Sequence, residues 1–443
     1  MTIESPVPAA PTPASAATAS AATASAATAS DGSRAPEPQK KVGGLFLTLY
    51  GLLNFGLYLT VMMPALFSLP YKIGVIAPDD KVAVLAIVTT VGAIVGVIAG
   101  PVAGVLSDRT RTRIGRRRPW LIGGLATLAL GSSIVALADS VPVLLLGWGV
   151  VSLAGAANAA AIAPVVAERV PEAQRGTVGA IVGVATQLGG VLGYSIGGLL
   201  TQDLLLLFLV PVAAFAVLGV VFMLAVREPI IELPRTTVAE TFRSLVFNPR
   251  RYPDFSFLWI GKLLMQVALA FLSTYQLYFV IDRLGFTAEE AGGQLALVGG
   301  IGILVTMTFA VVSGMLSDKL KRRKVFIYTA AVLSAVGLGL MAFTDGFGMF
   351  FAAVLFILGA AGMFGSVDVA MASDLVPQRD QAGRWMSIYN LAATLSTALA
   401  PLAGAALLMA GSADSTNYTA LFIGGAVLAL GVALSTRFVK GVR

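Results

Sequence analysis

The sequence contains neither cysteine nor histidine, and charged side chains make up only 12% of its 443 residues. Without cysteine, the chain has no disulfide framework, no zinc–thiolate site and no thiol nucleophile. Without histidine, it lacks the side chain that most often acts as a general base, binds a metal, or titrates near neutral pH. These absences argue against a hydrolase or a redox enzyme, and we predict no enzymatic activity and no metal site.

A phosphate-binding loop of the form Gly-x-x-x-x-Gly-Lys-Ser/Thr is also absent from the sequence. Direct ATP hydrolysis depends on such a loop in many ATP-driven proteins, because its backbone amides and lysine hold the phosphates. We therefore expect no cofactor, and an energy source other than ATP.

Hydrophobic residues, by contrast, make up 57% of the chain, against about 45–50% in soluble domains. They form twelve apolar segments, each long enough to cross a bilayer as a helix of about 20 residues. The sequence therefore predicts an all-α membrane protein with twelve transmembrane helices. The predicted segments are 43–68, 82–106, 120–138, 142–166, 176–200, 204–226, 256–281, 291–316, 325–343, 348–371, 384–410 and 418–437.

Residues 1–40 differ from the rest in composition, since the pentad Ser-Ala-Ala-Thr-Ala is repeated between Ser15 and Ala29. This segment has no large side chains to bury, so we expect it to be disordered. It lacks the basic start and the apolar core of a signal peptide. We predict a cytoplasmic tail.

The loop charges predict the orientation in the membrane. Of the 30 lysines and arginines, 26 fall in the tail or in connections on the same side as the tail, and Lys262 lies inside a helix. The opposite loops hold Lys72, Lys81 and Arg283. The positive-inside rule places both termini in the cytoplasm, and we expect a multi-pass protein of the plasma membrane. Basic loops beside a membrane contact lipid, so the net charge of +7 does not indicate a nucleic-acid partner.

Two basic hairpins show that the chain contains an internal repeat. Gly104–Asp108 and six arginines between Arg109 and Arg118 follow the second predicted helix. Gly314–Asp318 and a basic run over 319–324 follow the eighth. Glu168-Arg-Val-Pro likewise recurs as Asp374-Leu-Val-Pro after the fourth and tenth helices.

The first hairpin and the parallel six-helix repeat resemble the major facilitator superfamily of transporters, whose two halves rock about a central site. The resemblance covers everything except the tail. It implies a bundle over 41–226, a cytoplasmic linker over 227–254 and a second bundle over 255–443. It also implies a secondary transporter that works by alternating access on a small-molecule substrate; we expect a monomer.

The hairpins are the predicted gate. Gly104 lies one turn before Asp108, so a neighbouring helix can approach closely there. The resemblance implies that Asp108 accepts hydrogen bonds from the start of the eleventh helix, near Gly383, where the helix dipole is positive. We predict that this contact closes the cytoplasmic face. The other predicted gating residues are Arg109, Arg116, Arg169, Asp318 and Arg322; alternatively, the arginines only orient the chain.

The resemblance further implies that helices 1, 4, 7 and 10 line the central cavity. Hydroxyl, amide and aromatic side chains on these helices suit a polyhydroxylated ligand, although such residues also bridge helices without binding anything. The predicted substrate-binding residues are Tyr50, Asn54, Tyr58, Asn158, Gln266 and Gln276.

Lys262 and Asp368 are ionisable residues inside predicted membrane helices, and such residues are costly and usually functional. Both lie about 10 Å from the cytoplasmic side, at 1.5 Å per residue. We predict that they pair and that Asp368 carries a coupling proton. The alternative is that the lysine extends its ammonium group to the membrane surface.

Several short runs resemble the sucrose and glycoside–cation symporters: Ser107–Pro119, Leu188–Tyr194, and Asn158 followed by Pro164. That resemblance implies proton-coupled symport of a sugar or glycoside. Gly155 departs from it, because those carriers have an acidic residue at the corresponding position.

Two other functional classes remain open. Gly189, Gly193, Gly197 and Gly198 match the glycines of an antiporter motif, which favours an exporter of drugs or metabolites, but Tyr194 replaces its proline. A non-transporting receptor is the third class, although it would not need a buried lysine and aspartate.

Overall fold

The structure is a computed structural model that describes residues 41–226, 238–411 and 417–442. The predicted disordered tail over 1–40 and the first part of the predicted linker lie outside these residues. The described chain is helical apart from turns, short connections and one isolated β-bridge between Thr112 and Gly115.

Twelve helices of the described chain are long and apolar enough to cross a membrane, which confirms the predicted fold class. A short linker helix, Val238–Ser244, lies between the sixth and the seventh. The twelve spans are α1 Gly44–Ile76, α2 Lys81–Arg109, α3 Arg118–Leu137, α4 Val141–Arg169, α5 Glu172–Leu199, α6 Leu204–Ala225, α7 Pro253–Asp282, α8 Ala288–Leu320, α9 Arg323–Ala342, α10 Phe347–Asp374, α11 Arg379–Met409 and α12 Tyr418–Arg437.

The first span runs to Ile76, beyond the predicted end at residue 68, because the helix continues through both Pro64 and Pro70. The chain widens into a π-helical turn at Pro64–Ser68 and continues as an α-helix over Leu69–Ile76. Inside a membrane, adjusting the helix satisfies the backbone groups that a break would expose to lipid. Lys72 therefore lies in α1 and not in a loop; it is buried, and its ammonium donates to the Ala136 carbonyl at 2.8 Å.

The helices pack in two sets with the same pattern of neighbours. In the first set, α1 contacts α5 and α6, α3 contacts α4 and α6, and α2 contacts α4. In the second set, α7 contacts α11 and α12, α9 contacts α10 and α12, and α8 contacts α10. Each helix thus has the neighbours of the helix six positions earlier, as the repeated motifs in the sequence indicate.

The two sets meet through α2 with α11 and α5 with α8. We call the end of the bundle that carries the two basic connections the hairpin end, and the other the opposite end. Several contacts between the sets lie in the half toward the opposite end. Among them, the Thr90 hydroxyl donates to the Ala398 carbonyl, the Tyr278 hydroxyl donates to the Pro70 carbonyl, and Gly198 packs on Gly292. The molecule is closed there.

At the hairpin end the corresponding surfaces are open. A Cβ atom built on Gly104 of α2 would meet no atom within 4 Å, and the same holds for Gly383 at the start of α11. These glycines are the positions at which the sequence predicts close approach of α2 and α11. At these two positions α2 and α11 therefore make no close contact, and we call the space beside them the cleft.

Candidate functional site

A cluster of charges closes the hairpin end of the first set. The Arg116 guanidinium lies 2.5 Å from a Glu168 carboxylate oxygen and 3.9 Å from Asp108. Arg117, almost fully buried, donates to the same oxygen of Glu168. The cluster ties the end of α2 and the hairpin to the end of α4. Glu168 and Arg117 are functional candidates that the sequence prediction left out, although the Glu168 motif repeats with the hairpin.

The second set has an equivalent cluster, and it corrects one predicted residue. Asp318 pairs with Arg323 at 3.3 Å, not with Arg322, and Arg323 reaches Asp374 at 2.6 Å. The reason is the backbone at Lys321, which adopts a left-handed conformation (φ 52°) and ends α8. Arg322 then faces solvent, while Arg323 begins α9. Asp374 takes the place that Glu168 has in the first set.

The predicted contact between Asp108 and the start of α11 is not made in this conformation. Asp108 is partly exposed beside Arg116, and the Arg169 guanidinium lies over the Phe46 ring at 6.0 Å. The start of α11 instead holds the linker, since the Arg384 guanidinium donates to the carbonyls of Ser244 and Val246. The Asp108 latch stays a prediction for a state that is closed at the hairpin end.

Several predicted substrate-binding residues are used in helix packing. Asn158 is fully buried, donates to the Ala154 carbonyl and lies against Gly124 of α3. Tyr50 is 2% exposed, stacks on Phe46, and its hydroxyl reaches the Ile162 carbonyl at 3.5 Å. Asn54 donates to the carbonyl of Tyr50. In this conformation these side chains are almost entirely covered by helix packing, and a substrate-binding role for Tyr50, Asn54 and Asn158 stays a prediction.

Three other residues were predicted to bind substrate. Tyr58 on α1 and Gln266 on α7 are half-buried, and Gln276 is 8% exposed. Tyr58 and Gln266 have polar atoms on side chains that are partly accessible, and they belong to the two helices expected to face each other. They remain candidates for substrate contact.

The predicted pair of Lys262 and Asp368 is present. The Lys262 ammonium lies 3.4 Å from Asp368 Oδ2, and the two side chains are only 8% and 3% exposed. The Tyr389 hydroxyl of α11 donates to Asp368 Oδ1, and the Tyr389 ring lies 4.0 Å from the ammonium. We call these three residues the buried triad. A third helix therefore contributes to the pair that the sequence predicted from two.

Asn390 connects the buried triad to an accessible surface. Its side-chain oxygen lies 3.5 Å from the Lys262 ammonium, and the residue itself is exposed. Asn390 belongs to an exposed polar row on α11 with spacings of three and four residues, which places its members on one face. We infer that the row faces the cleft and not lipid, because the Asn390 amide would lack hydrogen-bond partners against hydrocarbon. The row consists of Ser387, Asn390, Thr394 and Thr397.

This polar row is the other feature that sequence analysis missed, although the spacing was visible in the sequence. Thr397 is adjacent to Ala398, where α11 meets α2 at Thr90. The row therefore runs from the closed contact between the sets toward the hairpin end. We assign it to the α11 side of the cleft, and Asn390 links it to Lys262 of the buried triad.

The glycines of α5 are accounted for by packing. A Cβ at Gly189 would lie 3.1 Å from the backbone of Tyr58 and Leu59, and one at Gly193 would lie 2.9 Å from Met63 Cα. A Cβ at Gly197 would overlap the Phe67 ring. These glycines let α5 lie directly on α1, so their spacing does not by itself indicate an exporter.

Twelve helices in two repeated sets, a cleft between them and a charged pair buried at its wall define a polytopic membrane transporter. The sequence matches the profile of the Major Facilitator Superfamily over residues 44–367 and 292–441. The chain belongs to the Major Facilitator Superfamily. Compared by sequence with curated proteins, it matches none.

Solved structures of other transporters share this fold. The chain is similar to the nucleoside transporter NupG, with a TM-score of 0.68 and 14% identity over 89% of this chain and 98% of that one. It is similar to a bacterial homolog of the human lysosomal transporter Spinster in an inward-facing, unoccupied conformation (TM-score 0.67, 16% identity, 89% and 95% covered). It is also similar to the peptide transporter POT in complex with sulfate, with a TM-score of 0.70 and 14% identity over 90% of this chain and 95% of that one.

Proposed function

We propose that this protein is a proton-coupled symporter of a sugar or glycoside-like solute in the plasma membrane. The observation that carries the proposal is the buried triad, in which a lysine and a carboxylate pair inside the membrane-spanning part of the second set. A buried ion pair contributes little net stability, because desolvation offsets the attraction between its charges. Its presence favours a role in the transport cycle.

The geometry supports a proton-transfer role for Asp368. Its two carboxylate oxygens have different partners, Tyr389 on one side and Lys262 on the other. A proton on Asp368 removes the charge that holds the Lys262 ammonium. Asn390 then offers the ammonium an oxygen at the cleft surface. Protonation at the triad is thereby linked to a polar group at the wall of the cleft.

The groups around the cleft support this substrate class. The candidate groups are the hydroxyl and amide side chains of the α11 row, together with Tyr58 on α1 and Gln266 on α7. Such groups donate and accept hydrogen bonds without a fixed charge, which suits a polyhydroxylated neutral solute. The sequence runs shared with the sucrose and glycoside–cation symporters favour the same class. Export of drugs or metabolites is the competing outcome of the test.

The hairpin end is assigned to the cytoplasm on the distribution of lysine and arginine. In this assignment the structure corresponds to a carrier open to the cytoplasm, with both termini on that side. A maleimide that does not cross membranes should label a Thr112→Cys variant in inverted vesicles and not in intact cells. Labelling of intact cells would reverse the assignment.

The deciding experiment uses purified protein in vesicles with an imposed pH gradient. We expect uptake of a labelled sugar or glycoside that follows the proton gradient, and no movement of cationic dyes. An Asp368→Asn variant should still exchange labelled for unlabelled solute but should no longer accumulate it. The matched control is Asp345→Asn, which changes an exposed carboxylate of the same set.

Two outcomes would contradict the proposal. Dye extrusion driven by the gradient, without sugar uptake, identifies an exporter. If the Asp368→Asn variant still accumulates solute against its gradient, that carboxylate does not carry the coupling proton. Because Asp368→Asn leaves Lys262 without its charge partner, the double variant Lys262→Gln/Asp368→Asn is measured beside it to separate misfolding from loss of coupling.

A further inference from the structure

An apolar groove runs between α2 and α3 in the first set, with α4 as its floor. Its walls come from Ala99 to Leu106 and from Pro119 to Thr127, and its volume is about 460 Å³. The two polar side chains in the lining already have partners: the Thr127 hydroxyl donates to the Gly123 carbonyl, and the Trp120 indole donates to the Thr110 hydroxyl. The groove therefore offers hydrocarbon contacts and few polar ones.

The position of the groove matches one leaflet of a bilayer. It extends from Pro119 to Thr127, about 12 Å along α3 at 1.5 Å per residue. One leaflet contributes about half of the 30 Å hydrocarbon core. Leu106 and Leu153, both half exposed, lie on its rim. A single acyl chain from the leaflet at the hairpin end fits this depth and this chemistry.

The mouth of the groove lies at the arginine-rich hairpin. A tight turn from Thr112 to Gly115 forms its tip, closed by a hydrogen bond from the Gly115 amide to the Thr112 carbonyl. Arg111 and Arg113 at this tip are exposed, and neither pairs with a described residue. The bond between Trp120 and Thr110 joins the groove wall to the residue that precedes Arg111.

Three of the other four arginines of the hairpin have partners away from the tip. Arg116 and Arg117 bind Glu168, and Arg118 donates to the carbonyls of Met223 and Val226 on α6. Ile114, the residue after Arg113, has 53% of its surface exposed. The tip thus presents two cations and one apolar side chain, a combination suited to the interface between headgroups and acyl chains.

We propose that this groove and the hairpin tip form a binding site for one anionic phospholipid. An acyl chain lies in the groove, and the phosphate lies against Arg111 and Arg113. Basic residues next to a pocket between membrane helices attract anionic headgroups, whereas a zwitterionic headgroup gains less because its own cation faces the arginines.

The test is native mass spectrometry of the full chain in detergent, with phosphatidylglycerol and phosphatidylcholine added in equal amounts. We expect selective retention of phosphatidylglycerol. Arg111→Gln/Arg113→Gln should lower that preference by about 30-fold, given the usual contribution of a basic residue near an anionic membrane surface. Lys319→Gln/Lys321→Gln, in the second basic connection, is the matched charge control and should leave the preference unchanged.

A second variant tests the groove itself. Gly123→Leu places a side chain in space where a Cβ meets no atom within 4 Å, so it fills the groove without displacing a neighbour. It should lose bound phosphatidylglycerol, while Gly339→Leu, at an equally open glycine of α9, should keep it. If Gly123→Leu does not fold, Leu106→Asn on the exposed rim replaces it.

Three results overturn the proposal. Equal retention of the two lipids by the unchanged protein excludes a selective site. If the arginine variant loses its preference for phosphatidylglycerol while the groove variant binds that lipid normally, the headgroup is attracted to the basic surface and the groove holds no acyl chain. Release of phosphatidylglycerol by millimolar inorganic phosphate at constant ionic strength identifies a site for a free anion.

Discussion

Lys81 and Asp282 join the two sets of helices at the opposite end, with 2.6 Å between Lys81 Nζ and Asp282 Oδ1. The Tyr418 hydroxyl donates to the other oxygen of the same carboxylate at 2.7 Å, so α2, α7 and α12 meet at one residue. Since the pair forms only when this end is closed, it stabilises the conformation described above over one that is open there.

Asp282→Asn should shift the conformational equilibrium toward opening of the opposite end. A partly exposed pair contributes up to about 1 kcal/mol, so we expect about a fivefold change in the population ratio. The cysteine-free chain permits spin labels at Val75→Cys and Phe343→Cys, and the distance distribution between them reports the change. The control is Asp345→Asn, which removes the Arg283 pair within a single set. An equal shift in both variants would show a general charge effect and no gate.

The contact between Gly198 and Gly292 should be sensitive to a single methyl group. A Cβ at Gly292 would lie 2.6 Å from Gly198 Cα, backbone that cannot move aside as a flexible side chain does. Gly292→Ala should therefore favour opening between α5 and α8, measured with the same label pair. Gly300→Ala, at an open position of the same helix, should leave the distances unchanged. Unchanged distances in Gly292→Ala would mean that this contact does not limit closure.

Tyr389→Phe removes one hydrogen bond from the buried triad and retains the ring next to Lys262. A hydrogen bond to a charged group contributes about 1.5–3 kcal/mol, so we expect a lower thermal unfolding temperature and slower gradient-driven uptake. Tyr328→Phe, on a half-buried tyrosine of α9, is the control for loss of a hydroxyl. Equal unfolding temperatures for the two variants would contradict a structural role for the Tyr389 hydroxyl.

The second charge cluster predicts different effects for two adjacent arginines. Arg323→Gln removes the ion pairs to Asp318 and Asp374, whereas Arg322→Gln changes a side chain that faces solvent. These partly exposed pairs contribute about 1 kcal/mol at most each, so Arg323→Gln should unfold at lower temperature and Arg322→Gln at the original one. The opposite order of unfolding temperatures would restore the pairing predicted from the sequence.

The number and order of the membrane helices could be predicted from the sequence because an apolar run of fixed length has few alternatives in a bilayer. The end of α1 could not be predicted in the same way. The predicted segment ends at residue 68, just before Pro70 and Lys72 interrupt the apolar run, but the chain stays helical through Ile76. The pairing of Lys262 with Asp368 was predictable because helix rise fixes the depth of both residues.

The direction of individual side chains was harder to predict. A membrane helix is apolar toward lipid and toward its neighbours, so the hydrophobic pattern does not show which face meets the cleft. Asn158 was therefore assigned to the cavity, while the structure packs it against Gly124. The exposed row on α11 was overlooked because the prediction considered only the helices expected to line the centre. Arg323 was missed because the left-handed Lys321 changes the direction of the chain.

The buried triad also constrains how the protein is synthesised. Lys262 belongs to the seventh helix to be made, and Asp368 to the tenth, more than one hundred residues later. At ribosomal rates of about 5–20 residues per second, α7 enters the membrane several seconds before its charge partner exists. During that interval a lysine inside a single helix costs about 3 kcal/mol on insertion scales, unless its stem carries the ammonium to the surface. Assembly of the second set thus begins with a helix that becomes stable only after later helices have arrived.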